Sequence, residues 1–241
     1  MAPSKVVLYD LPSVQGTAWS LNPWKTRMIL NYKGIDYQTD WVEYPDLAPK
    51  FESWGIPPNP KDAPGYFADY SSPAIKYDDG TLAMDSWPIA LELEKRYPSP
   101  SLHLDNPIVL HMRDHTALMM RPIFNRLAAR IPLILPERSA EYFHETREKI
   151  FGKSVEQLEA EAKESDWASI LDEVKRTGDL LRKNDGPFFL GETVSYADFI
   201  FVSMLQFFKR INNDVFERFI ALDPAFPKVF EACKPWLAKE D

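Results

Sequence analysis

The sequence predicts an α/β domain followed by an all-α domain, and three observations predict it. Strand and helix patterns alternate as strand, helix, strand over roughly the first 44 residues. A hairpin and one more helix follow up to about residue 97, giving the order βαβ then ββα. Beyond a Pro/Ser stretch near residue 100 the β signals stop and only helical periodicity remains. The expected division is residues 1–98 for the α/β domain, 99–107 for a linker and 108–241 for the helical domain.

Lys5 to Asp10 is a compact β-branched run closed by Leu11-Pro12, the pattern of a short buried strand entering a loop. Pro23 stands where a first helical turn tolerates it, and Trp24, Met28 and Leu30 lead to Gly34 at a C-terminal stop. Tyr37, Thr39, Trp41, Val42 and Tyr44 supply a second strand across residues 36–44. Prolines at 45, 49, 57, 58, 60 and 64 make residues 45–70 a loop-rich connection with one short irregular helix. Ala74–Tyr77 and Thr81–Met84 flank an Asp-Gly turn as a hairpin. Ser86 is expected to cap a helix whose apolar positions Trp87, Ile89, Ala90 and Leu93 recur until Tyr97-Pro98. After the linker Pro98-Ser99-Pro100-Ser101, helices are expected over roughly 108–130, 137–162, 166–183, 196–210, 214–221 and 225–238. There is no internal repeat and no low-complexity tract.

Of 241 residues, 45% are hydrophobic and 27% charged, the composition of an ordinary globular chain. A net charge of -8, with no local run of Lys and Arg to offset it, repels phosphate backbones and argues against nucleic acid as a partner. The apolar stretch Val6 to Leu8 is too short for a signal-peptide core or a membrane span, so a cytoplasmic protein without membrane attachment is expected. Cys233 is the sole cysteine, which rules out an internal disulfide, a Cys-x-x-Cys pair and a cysteine-rich metal site. Any thiol chemistry must use a borrowed thiol. His111 and His115 lie one helical turn apart but lack an adjacent glutamate or an obvious third ligand, so no metal is expected.

Three strings stand out within this framework. Ser72-Pro73-Ala74-Ile75, Asp79-Gly80 and Met84-Asp85-Ser86-Trp87-Pro88-Ile89 form the first. The second runs from Gly191 to Asp198, where Ser195 and Asp198 have capping-box spacing. The third, Trp19-Ser20-Leu21-Asn22-Pro23-Trp24-Lys25-Thr26, lies between the first strand and the first helix. Together with the element order they resemble the glutathione transferase superfamily over essentially the whole chain. The resemblance implies a thioredoxin-like N-terminal domain, an all-α C-terminal domain, glutathione as co-substrate and a homodimer. Tyr9-Asp10-Leu11 and the stretch Asn31 to Asp36 make the chain similar to the fungal-specific A class and its relatives the bacterial lignin β-etherases, a serine type.

On that resemblance Ser20 is the thiol-activating hydroxyl. A thiol of pKa near 8.5 is only about 3% ionised at neutral pH, and the thiolate is the nucleophile. A helix N-terminus contributes about 0.3–1 kcal/mol to an anion and one hydroxyl bond to an ion about 1.5–3 kcal/mol. Together they approach two pKa units, but the less basic thiolate is intrinsically less reactive, so the net gain is about severalfold. The rest must come from holding a co-substrate against the sulfur. The plainer reading of Ser20 is a loop serine or an N-cap without a part in turnover. Asn22 is a second candidate donor to the sulfur, or equally the residue that caps the helix before Pro23. Tyr9 rivals Ser20, since other classes use a tyrosine there, but its apolar strand favours a packed core residue. Asp85 and Ser86 set an acidic side chain beside a helix start with a hydroxyl, suited to the amine and carboxylate of a γ-glutamyl group. For Ser72 the resemblance implies a main-chain role, with a cis bond before Pro73 turning its N–H and C=O toward the cysteinyl part of glutathione.

The expected function is conjugation of glutathione to small apolar or aromatic electrophiles, with β-etherase-like or peroxidase variants. A ligandin-type carrier of aromatic molecules is the alternative, and a pure binding or assembly module is disfavoured by Ser20 and the Asp85-Ser86 pair. The helix at 108–130 is expected to face the substrate, with Met119, Arg121 or Phe124 among its possible contacts.

Overall fold

A computed structural model describes residues 5–62 and 66–240, so Pro64 of the proline-rich connection lies outside the described residues. The first part is a four-stranded sheet of order β2-β1-β3-β4. β1 (Val6–Asp10) pairs in parallel with β2 (Tyr37–Trp41), and helix α1 (Leu21–Tyr32) makes the crossover. Helix α2 (Tyr44–Ser53) follows. β3 (Ala74–Lys76) runs antiparallel to β1, with Ile75 opposite Leu8, and turns back into β4 (Leu82–Met84) before α3 (Ser86–Arg96). Leu8, Ile75, Ile29, Leu30, Ile89 and Leu93 are all fully buried and fill the space between sheet and helices. α1 stops at Gly34, whose φ of 65° suits a residue without Cβ; the Ile35 amide reaches back to the Leu30 carbonyl at 2.9 Å.

The second part is helical: α4 (Pro107–Ile123), α5 (Asn125–Ala128), a 3-10 turn at Pro132–Ile134, α6 (Glu137–Phe151), α7 (Val155–Ala160), α8 (Glu164–Ser169) and α9 (Leu171–Leu181). Then come α10 (Tyr196–Ile211), α11 (Asn213–Ile220), α12 (Ala225–Ala232) and α13 (Lys234–Leu237). α10 is the central post. It is buried from Tyr196 to Phe208, as an all-round apolar helix must be, and α1 packs along it, the Ser203 hydroxyl lying 3.6 Å from the Met28 sulfur. No helix among the described residues is long and apolar enough to cross a membrane.

Several expectations need correction. The second strand ends at Trp41, and Tyr44 opens a regular ten-residue helix instead of closing the strand. The 108–130 helix breaks at Phe124, just after Pro122 removes an amide from the last turn. The 137–162 helix stops at Gly152, in the left-handed region, and restarts with a Ser154–Gln157 capping box. Ile170 divides the 166–183 helix, and Cys233 divides the last one. The capping box expected at the start of α10 is present: Asp198 accepts from the amides of Phe189 and Ser195 and from the Ser195 hydroxyl.

Candidate glutathione site at the start of helix α1

The loop from Leu11 to Ser20 is braced at both ends. At its entry the buried Asp10 carboxylate accepts from the Leu11 amide (2.6 Å) and from Arg27 of α1 (2.8 Å). Arg27 is also fully buried and donates to Thr39 (3.0 Å), so one ion pair ties β1, α1 and β2 together. Inside the loop the Ser13 hydroxyl accepts the Thr17 amide and donates to the Thr17 carbonyl. The indole N–H groups of Trp19 and Trp24 donate to the carbonyls of Pro12 and Ala18. Trp24 is fully buried.

This framework delivers Ser20 to the N-cap of α1, with φ -75° and ψ 136°. An N-cap hydroxyl ordinarily accepts from the second or third helical amide. Here Pro23 occupies the third position and has no amide proton, and the Ser20 hydroxyl makes no capping bond. It is half-buried, unengaged among the described residues, and stands beside the free amides of the first turn. Of the two readings of Asn22, that of helix cap is corrected, because Ser20 holds that position. Asn22 is the second helical residue, exposed, and its side-chain oxygen accepts from Lys25 Nζ at 2.9 Å.

The other predicted residues meet at the end of β3. The Ser72–Pro73 bond is cis. The Ser72 hydroxyl donates to the Tyr9 carbonyl at the end of β1 (3.2 Å), while its own main-chain N–H and C=O have no partner among the described residues. The Pro73 carbonyl accepts the Asp85 amide (3.0 Å), which holds the two predicted pairs side by side. Asp85, not Ser86, is the N-cap of α3: its carboxylate accepts the Trp87 amide at 3.0 Å. With φ 74° it sits in a region that costs an L-residue about 1–3 kcal/mol and that persists only where the surroundings enforce it. Relieved of capping, the buried Ser86 hydroxyl has no protein partner among the described residues, and the Ser86 carbonyl accepts from the Tyr196 hydroxyl of α10 (3.3 Å).

Sequence reasoning passed over Lys25. It is half-buried on α1, close enough to Asp85 to feel its charge, and loss of hydration pushes its amine down to about 8 while Asp85 opposes the shift. A lysine this near the positive end of a helix runs against the dipole, and that misfit was the available signal. Tyr9 is a core residue: its ring packs on Trp54 (4.8 Å) and Phe51 (6.3 Å), and burial, then Asp40, pushes its phenol up. Beside Ser20 the aromatic wall is built by Trp19, whose ring lies 6.4 Å from Tyr44 of α2 and 6.4 Å from Phe207 of α10. Met119 is no part of that wall; it is fully buried against Thr177 of α9. Cys233 is buried, which pushes its thiol well up and leaves it inert. His111 and His115 stack at 4.2 Å, with His111 Nε2 3.8 Å from Glu173.

A four-stranded mixed sheet of this order, followed by an all-helical part, defines the class of fold, and comparison with known proteins gives its family. The model of the glutathione S-transferase N-terminal domain matches residues 19–96, and that of the glutathione S-transferase C-terminal domain matches residues 112–236. The chain belongs to the glutathione S-transferase superfamily. It is 33% identical to the glutathione S-transferase-like protein ustS of Aspergillus flavus, over 91% of this chain and 85% of that one. Among solved structures it resembles glutathione transferase GSTFuA3 from Phanerochaete chrysosporium (TM-score 0.84, 29% identity, 98% of each chain). It also resembles the Ceriporiopsis subvermispora glutathione S-transferase CsGST63524 in complex with glutathione (TM-score 0.84, 28% identity, 99% of this chain and 100% of that one).

Proposed function

We propose that this protein is a serine-type glutathione transferase of the fungal-specific A kind, which ionises the glutathione thiol at the start of α1 and transfers it to a small aromatic or apolar electrophile. One observation carries the reading: the Ser20 hydroxyl stands at a helix N-terminus and makes no capping bond, the third-position amide being absent at Pro23. A hydroxyl free to donate, beside first-turn amides and the positive end of the dipole, suits a thiolate. In this reading Asp85 takes the γ-glutamyl amine and Ser86, at the start of α3, its carboxylate. The unpaired main-chain groups of Ser72 pair with the cysteinyl residue as an added strand would. Lys25 adds positive charge, and Asn22 is a second donor near the sulfur. The relative solved with glutathione supports the same ligand here.

Ser20→Ala is expected to raise the pKa of bound glutathione by about one to two units, corresponding to roughly 1.5–3 kcal/mol from one charged hydrogen bond. Affinity for the neutral tripeptide stays nearly constant, because the hydroxyl serves the anion. Ultraviolet titration of the thiolate on both proteins measures this. Identical titration curves would remove Ser20 from the mechanism.

A further inference from the structure

The helical part carries a buried cation that the proposed conjugation does not use. Arg147, on α6, is only 9% exposed, and among the described residues no carboxylate stands within ion-pair distance of it. Its guanidinium donates to the adjoining Thr146 hydroxyl (2.9 Å), hydrogen-bonds the Tyr44 hydroxyl and otherwise faces rings: Phe143 at 4.2 Å, Phe67 at 4.7 Å and Tyr44 at 5.5 Å. Burial pushes its pKa down, with Tyr44 and Tyr142 opposing. Ring contacts and two neutral hydroxyls return less than a buried guanidinium without a counter-charge loses in hydration, so the arrangement is a poor clamp. It is a good receptor. A guanidinium held only by neutral hydroxyls and rings matches a carboxylate, and aromatic walls match an aromatic skeleton.

Its place is informative too. Tyr44, one wall of the cage, also packs against Trp19, the residue before Ser20. On the outer side Tyr44 stacks on Tyr142 at 6.0 Å, and Tyr142 and Phe67 are both exposed, so the cage opens outward. We propose that Arg147 binds the carboxylate of an aromatic second substrate, so that the cleft beside the thiolate site selects acidic aromatic electrophiles. The words "second substrate" rest on the conjugation reading; the anion site itself does not. With 4-(bromomethyl)benzoate as the electrophile, the thiolate forms the C–S bond at the benzylic carbon, the C–Br bond breaks and bromide leaves with its electron pair.

Binding of 4-biphenylcarboxylate and of its neutral carboxamide to the full chain, read by tryptophan fluorescence, tests the proposal. The wild type is expected to hold the carboxylate at least about tenfold more tightly than the amide. Arg147→Met is expected to erase that preference while leaving amide affinity within about twofold, and Arg147→Lys to keep part of it. An unchanged carboxylate-to-amide ratio in Arg147→Met would overturn the proposal. Calorimetry with glutathione separates the sources of the carboxylate. Equal affinity in wild type and Arg147→Met supports the second substrate, whereas a loss in the variant assigns the cation to the tripeptide's own carboxylate and overturns it. A wild type that ignores glutathione yet prefers the biphenyl acid sinks the conjugation reading and leaves the anion site standing. Arg147→Met should also melt no lower than wild type; a drop of many degrees would reveal a structural clamp and count against a receptor.

Discussion

Single residues in this protein hold charge in places where water would ordinarily stabilise it. Asp198 is the clearest structural case. Burial raises its carboxyl to about 6, although three hydrogen bonds from Phe189 and Ser195 work in the opposite direction. The folded state therefore binds this proton more tightly than the unfolded chain, whose aspartate titrates near 3.8. Its unfavourable contribution is complete above pH 6 and fades as the pH falls toward 4. The gap in urea stability between wild type and Asp198→Asn should then shift in favour of the wild type on going from pH 7 to pH 4, by something on the order of 3 kcal/mol. A gap that stays flat across that window would show that Asp198 is ionised normally. Asp10 is the contrasting case, for Arg27 lies against it and both ends of the Ser20 loop depend on the pair. Removing only one of two buried charges is far more damaging than removing both.

The helix that opens at Ser20 illustrates how an element can be tuned against its own stability. Pro23 fixes the first turn but denies the N-cap hydroxyl its third-position amide. Pro23→Ala restores that amide. The new capping bond, about 1 kcal/mol, is roughly offset by the greater freedom of the unfolded chain, about 0.4–1 kcal/mol. Thermal stability should thus hardly move, while the pKa of bound glutathione rises because the capping rotamer draws the hydroxyl over the first turn and away from the sulfur, although its O–H remains a donor. A lowered thiol pKa would contradict the proposed division of labour. Elements of this kind were legible because their signals are local: the β-branched run of β1, the Asp-Gly hairpin, Gly34 and the Ser195–Asp198 box all act within a few residues. The helix breaks at Phe124 and Gly152 also had local signals, Pro122 and the Gly152–Ser154 pair, which apolar periodicity overrode. Helix α2 had none. Its first amide, from Tyr44, is accepted by the hydroxyl of Ser139 about a hundred residues downstream (3.2 Å; 95 positions apart), and no window along the sequence contains both. In the candidate site, Ser20, Ser72, Asp85 and Ser86 stood out from their strings, whereas Arg147 did not, because its surroundings come from rings brought in from α2 and the loop at Phe67.

At the scale of the whole molecule, the sheet part and the helical part are joined on two sides. On one side Arg27 and Asn31 of α1 donate to carbonyls of Trp236, Lys239 and Glu240, and Glu240 in turn pairs with Arg210 of α10. On the other, α6 meets α2: Arg138 forks onto Asp46 (2.8 and 3.0 Å), and the buried Ser139 hydroxyl both accepts the Tyr44 amide and donates to Glu43 (3.0 Å). The exposed Arg138 pair contributes little, whereas Ser139→Ala orphans two partners at once and should cost about 1–3 kcal/mol in chemical denaturation. A variant as stable as the wild type would mean that water replaces the hydroxyl without penalty. The cross-link has a further use. One half of the molecule shields a single backbone proton belonging to the other, so deuterium uptake at Tyr44 will keep time with the breathing of the cleft, and a ligand lodged between the halves should slow that exchange without touching the amide itself.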